Sequence, residues 1–194
     1  HDPRYEPIWQ VCAELDMPVH AHSGWSPDYG DAPVATAMFI SEVPLYAHRP
    51  FAALLWSGAF ERHPNLKLVM TEQGCSWIQD TLRTLDRPYD SPIFKYFHND
   101  LPLRPTEYFQ RQCFLGASFL TPRDCALRHE IGVDRLMWGS AYQPPARTWP
   151  HPLDALRATF CHVPPPVTRA PRARTALSPS ACAPDLVHPV PATV

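Results

Sequence analysis

The chain has 194 residues, of which 45% are hydrophobic and 11% aromatic, enough to bury one sizeable core as a single domain or a domain with an appendage. Against 19 acidic residues stand 17 basic ones, a formal net charge of -2 with no basic run able to follow a phosphate backbone, which argues against a nucleic-acid partner. The opening HDPRYEPIWQ lacks the charged start and apolar run of a signal peptide, and no window reaches the ~18 continuous apolar residues of a membrane span, so a cytoplasmic chain with no membrane partner is expected.

Asp2 and Pro3 mark a helix start, with Ile8, Trp9, Cys12 and Leu15 recurring behind them at helical spacing. MPVHAHSG then reads as a short strand closed by Ser-Gly. A second unit repeats the order: Pro50 opens a helix carrying Phe51, Leu54, Leu55 and Gly58, and NLKLVMTEQG supplies the next strand. That strand is apolar from Leu66 to Met70 apart from Lys67, as suits a strand covered on both faces of a parallel sheet.

SWIQDTLRTLDRPY reads as a helix with Ile78, Leu82 and Leu85, and RPTEYFQRQ leads to the strand CFLGAS. The last unit is the best marked. Thr121-Pro122-Arg123-Asp124 has the form of a capping box with proline in its first turn, Gly132 sits where a helix ends, and RLMWGS follows as the strand. Four helix-strand units in succession predict an α/β fold with a parallel sheet, either doubly wound or part of a (β/α)8 barrel.

From residue 161 the composition changes: eight of the last 34 residues are proline, Asp185 is the one acid, and no aromatic or glycine remains. The expected division is therefore a barrel-type domain over 1–160 and an irregular, proline-rich tail over 161–194. A solvated polyproline II tail and a GC-rich coding region read in a shifted frame both give such a composition, and its Ala/Pro/Arg/Ser/Thr bias favours the second. The cysteines, Cys12, Cys75, Cys113, Cys125, Cys161 and Cys182, are scattered with no C-x-x-C pair and read as reduced, packed thiols.

His20 and His22 alternate with Val19 and Ala21, so on a strand both imidazoles point to one face at its carboxyl end, where two nitrogens can ligate a divalent metal from one side. Hydrogen-bonded rim histidines satisfy the same pattern equally well. Glu72 is delivered by LKLVMT to the end of the next strand, where a carboxylate can serve as metal ligand, general base or substrate acceptor, or simply begin a surface loop.

ELDMPVHAHSG, FERHPNLKLVMTEQGCSWI, TEYFQRQ and IGVDRLMWGSAYQPPARTWPH together resemble the amidohydrolase-related family that includes amino-carboxymuconate-semialdehyde decarboxylase. The resemblance runs from His1 to about Arg157, its blocks in family order. It implies the C-terminal half of a (β/α)8 barrel, a divalent metal, zinc or manganese, and hydrolysis or decarboxylation of a small carboxylated or aromatic substrate. By motif His22 takes the place of a metal-binding histidine and Glu72 stands where many members carry a catalytic histidine; His20 has no fixed role in the family and is a second metal candidate from the H-x-H pattern alone.

Two departures bear on activity. The family's last strand ends Gly-Ser-Asp-Tyr-Pro-His, its aspartate binding metal and accepting a proton, whereas Ala141 occupies that place here. The strand carrying the family's first H-x-H motif also lies upstream of the pattern found, so the chain begins about halfway through the family's fold. The expected partner is a small-molecule substrate, with homo-oligomerisation left open. The rival expectation is a non-catalytic fragment or a partner-binding pseudoenzyme.

Overall fold

In the computed structural model, residues 2–117, 120–138 and 158 are described. The Asp2 carboxylate accepts the Arg4 amide and opens a 3-10 turn, Pro3–Tyr5, that runs into helix α1, Glu6–Glu14. The apolar residues read as one stripe divide between two faces: Trp9 and Cys12 pack against the core, while Ile8 and Leu15 point outward. Strand β1, Val19–His22, follows.

Helix α2 departs from expectation. It runs unbroken over Pro33–Trp56, with Pro44 and Pro50 inside it rather than a new start at Pro50. A proline in a helix interior costs about 3 kcal/mol through its missing donor. Here Ala47, Phe51, Leu54 and Leu55 are buried along the helix, and this packing offsets that cost. Gly58, at φ 75, makes the left-handed turn into the short α3, Ala59–Arg62, a conformation any other residue would resist.

Strand β2 spans Leu68–Thr71, α4 Ile78–Asp90, α5 Pro105–Gln112 and β3 Cys113–Ala117. The capping box read at Thr121 is present, since the Thr121 hydroxyl accepts the Asp124 amide and the Asp124 carboxylate accepts the Thr121 amide. It opens α6, Pro122–Ala126, after which α7, Arg128–Ile131, leads to β4, Leu136–Trp138.

The four strands are parallel and lie in the order β1-β2-β3-β4. A doubly wound sheet reverses its strand order at a switch point, whereas a barrel adds each strand to the same side of the last. Strictly sequential order therefore selects the barrel type, and the fold is a partial (β/α)8 barrel. Leu68, Met70, Cys113, Leu115 and Leu136 join Phe51, Leu55, Phe60, Ile78, Tyr108 and Phe109 in one hydrophobic cluster on the helix side. By alternation the other face carries His20, His22, Val69, Thr71, Phe114 and Gly116, the lumen side of a barrel. Buried Gln112 fastens β3 to the segment before β2, its amide donating to the carbonyls of His63 at 2.8 Å and Leu66 at 3.0 Å. Ala141 and the tail expected from residue 161 lie outside the described residues.

Candidate functional site

Parallel pairing sets His22 level with Thr71, so the residues that follow, Ser23 and Glu72, leave their strands together at the carboxyl rim. There His22 Nε2 lies 3.0 Å from Glu72 Oε2, with the glutamate side chain 16% exposed and the histidine 59%. The Ser23 hydroxyl donates to the Glu72 carbonyl at 3.2 Å, the Glu72 amide donates to the Gly116 carbonyl at 2.9 Å, and the Gln73 amide group donates to the Ala21 carbonyl at 2.8 Å. Three strand ends are thus tied into one rim.

Glu72 has φ 58, in the left-handed region. A residue bearing a Cβ pays about 1–2 kcal/mol there, and such strain persists where the surroundings hold it. Sequence reading had no access to this feature, because TEQG offers no glycine or asparagine at position 72 to announce a left-handed turn.

His20 shares the lumen face with His22 but sits one strand pair deeper, its Nδ1 3.2 Å from the Thr71 hydroxyl oxygen. The two histidines of the H-x-H motif therefore address different partners. A catalytic zinc takes about three protein ligands as bare lone pairs. His22 Nδ1 contacts the Ser23 carbonyl oxygen and Nε2 lies against the Glu72 carboxylate, so a neutral imidazole donates at one nitrogen and keeps its single lone pair at the other. Among the described residues no three His, Cys, Asp or Glu side chains converge as a metal-holding group. As arranged, these residues do not fit a divalent ion.

Two features near the helices carry polar atoms that the sequence reading left without a role. The His48 ring, on α2, stacks on Trp77 with centroids 3.5 Å apart and planes 10° from parallel. His48 Nε2 and Trp77 Nε1 are buried without a hydrogen-bond partner among the described residues, and burial lowers the His48 pKa to about 4. In the loop after β1, Trp25 meets Tyr46 edge-on at 4.8 Å, and the Tyr29 hydroxyl donates to Glu42 at 2.5 Å. That acceptor raises the Tyr29 pKa to about 12 and ties the loop to α2. Buried thiols contribute no nucleophile: burial raises the pKa of Cys75 and of Cys113.

The family described as Amidohydrolase matches residues 1–177. Among solved structures, an amidohydrolase from Mycobacterium avium subsp. paratuberculosis is 23% identical with a TM-score of 0.67, and covers 92% of this chain and 46% of its own. A dihydroxybenzoic acid decarboxylase from Polaromonas, solved with manganese and the inhibitor 2-nitroresorcinol, is 19% identical with a TM-score of 0.68, covering 92% and 54%. The 5-carboxyvanillate decarboxylase of Sphingomonas paucimobilis is 20% identical with a TM-score of 0.64, covering 91% and 53%. The chain thus spans about half the length of the structures it matches. No curated protein matches it significantly.

Proposed function

Because this chain belongs to the amidohydrolase family, we propose that it carries the scaffold of a metal-dependent hydrolase or carboxy-lyase for a small carboxylated or aromatic substrate, and that the chain as it stands does not turn over. The observation that supports this reading is the His22–Glu72 contact at the carboxyl rim, where barrel enzymes keep their chemistry.

In this reading Glu72 is the proton acceptor and His22 its partner. The imidazole holds the carboxylate toward the lumen, the left-handed backbone at Glu72 sets its direction, and the Ser23 hydroxyl fixes the turn. Positioned proton transfer of this kind contributes ~10²- to 10⁴-fold. The divalent metal expected from the family enters no step, because no three donors converge among the described residues and His20 lies against the Thr71 hydroxyl. With Ala141 in place of the family aspartate, a further ligand and proton acceptor is missing.

The test is turnover. The purified chain, with added manganese or zinc, is incubated with a panel of hydroxylated benzoates and aromatic amides, following carbon dioxide release and hydrolysis. No rate above the metal-only control is expected, and Ala141→Asp alone is expected to restore little. A rate that Glu72→Gln abolishes would overturn the inactive reading while supporting Glu72 as the catalytic residue. Retained folding with no turnover supports the proposal as stated.

A further inference from the structure

We infer that the first half of α2 overhangs the carboxyl rim as the apolar wall of the site, and that Ile40 on this wall contacts the end of a substrate remote from its reacting group. The inference rests on the reading of His22 and Glu72 as that site, and adds to it the residues that select the substrate.

The contacts of α2 fix where it stands along the sheet. Leu54 lines one groove with Val19 and Leu68, the first residues of β1 and β2. At the other level Tyr46 meets Trp25 and His48 stacks on Trp77, tryptophans that both follow the carboxyl ends of those strands. The helix therefore runs antiparallel to β1 and β2. The lengths agree, since His48 to Leu54 rises about 9 Å along the helix and Val19 to His22 about 10 Å along the strand. Residues 33–45, about 20 Å of helix, consequently project past the rim. They are held there at two points, by the Tyr29 hydroxyl on Glu42 and the Trp25 ring on Tyr46.

Ala47, Phe51 and Leu54 form the face of α2 that is buried against the sheet. Helical spacing continues this face upward through Val43 and Ile40, at four and seven residues before Ala47. Ala47 is 5% exposed, whereas Ile40, two turns and about 10 Å above it, is 64% exposed. An apolar face that packs below the rim thus continues exposed above it, where His22 and Glu72 leave their strands. A molecule that spans Glu72 and Ile40 needs a hydrogen-bond donor at one end, for the carboxylate, and an apolar body at the other. Small-molecule sites fix orientation in this way, with few polar groups set against an apolar wall. Val34, Met38 and Leu45 stand at helical spacing on the opposite face of α2, away from the rim, and supply a control.

The test is a titration of the full chain with phenol and with 4-ethylphenol, followed by NMR at the backbone amides and the His22 ring. Each fully buried CH2 strengthens binding roughly fourfold, so a two-carbon tail covered on one side is expected to bind about fourfold more tightly than phenol alone. Ile40→Ser is expected to erase that advantage, Met38→Ser to leave it, and Glu72→Gln to weaken both probes alike. Equal affinity for the two probes would overturn the inference, as would no saturable shift with either. So would an advantage that survives Ile40→Ser or vanishes with Met38→Ser, or shifts over residues 36–43 with none at His22. Shifts over those residues that follow protein concentration without a probe would assign the face to a second copy and overturn it as well. An advantage that depends on Ile40 while both probes ignore Glu72→Gln would instead remove Glu72 as the acceptor and leave the wall standing. Should Ile40→Ser fail to fold, Ile40→Val, expected to lose about half the advantage, is read in its place.

Discussion

Replacing Glu72 by alanine and, separately, by glycine isolates the backbone cost at the rim. Both variants lose the carboxylate and every contact it makes, so those losses cancel in the comparison. What differs is the Cβ at φ 58. Removing it relieves about 1–2 kcal/mol of left-handed strain, and glycine's freer unfolded chain returns about 0.5–1 kcal/mol of that. The glycine variant is therefore expected to be more stable than the alanine variant by about 0.5–1 kcal/mol. For a chain of this size that corresponds to a Tm difference of about 1–4 °C. The backbone contacts that hold the turn, Glu72 amide to Gly116 and Ser23 hydroxyl to the Glu72 carbonyl, are available to both. Urea unfolding with a shared m value reads the difference directly. A glycine variant less stable than the alanine one would refute the reasoning, because the left-handed backbone would then cost nothing and could not mark Glu72 as a residue kept for its chemistry.

His48 is neutral because it is buried, its pKa at about 4 against an ordinary 6.5. The unfolded chain binds the extra proton first, so this group's contribution is complete above pH 6.5 and is lost as pH falls toward 4. His48→Phe, which keeps a ring against Trp77, is expected to flatten the fall in stability across that window. An unchanged slope would contradict the assignment. Gln112→Leu removes the side-chain donor to the Leu66 carbonyl, leaves the His63 carbonyl with the Leu66 amide alone and takes the acceptor from Arg111 Nε, and is expected to cost about 2 kcal/mol in urea unfolding; a loss below about 1 kcal/mol would contradict the role given to this side chain.

Much of the fold was legible because its signals are local. The capping box at Thr121, the apolar run into Met70 and the helical spacing of Ile78, Leu82 and Leu85 in α4 each specify an element from a few neighbouring residues, whereas α5, Pro105–Gln112, lies where the sequence reads as a proline-punctuated loop. Helix α2 was misread because proline chemistry is local while the burial that carries the helix through Pro50 is tertiary. The same limit applies to α1, where helical spacing shows that Ile8, Trp9, Cys12 and Leu15 are apolar but not that they divide between core and solvent. At the rim, strand alternation gave His20 and His22 a common face, yet their separate partners depend on the register with β2, which no single strand encodes. The left-handed turn at Glu72 had no sequence mark, and the His48–Trp77 stack joins residues 29 positions apart without a motif.

The central proposal is that this chain has the amidohydrolase scaffold without a working metal site among its described residues. Its most direct test is metal content after the purified chain has been loaded with excess manganese or zinc and dialysed against metal-free buffer. Far less than 0.1 equivalent per chain is expected, unchanged by His20→Ala, since three donors do not converge among the described residues. About one equivalent retained, and lost on His22→Ala, would contradict the claim.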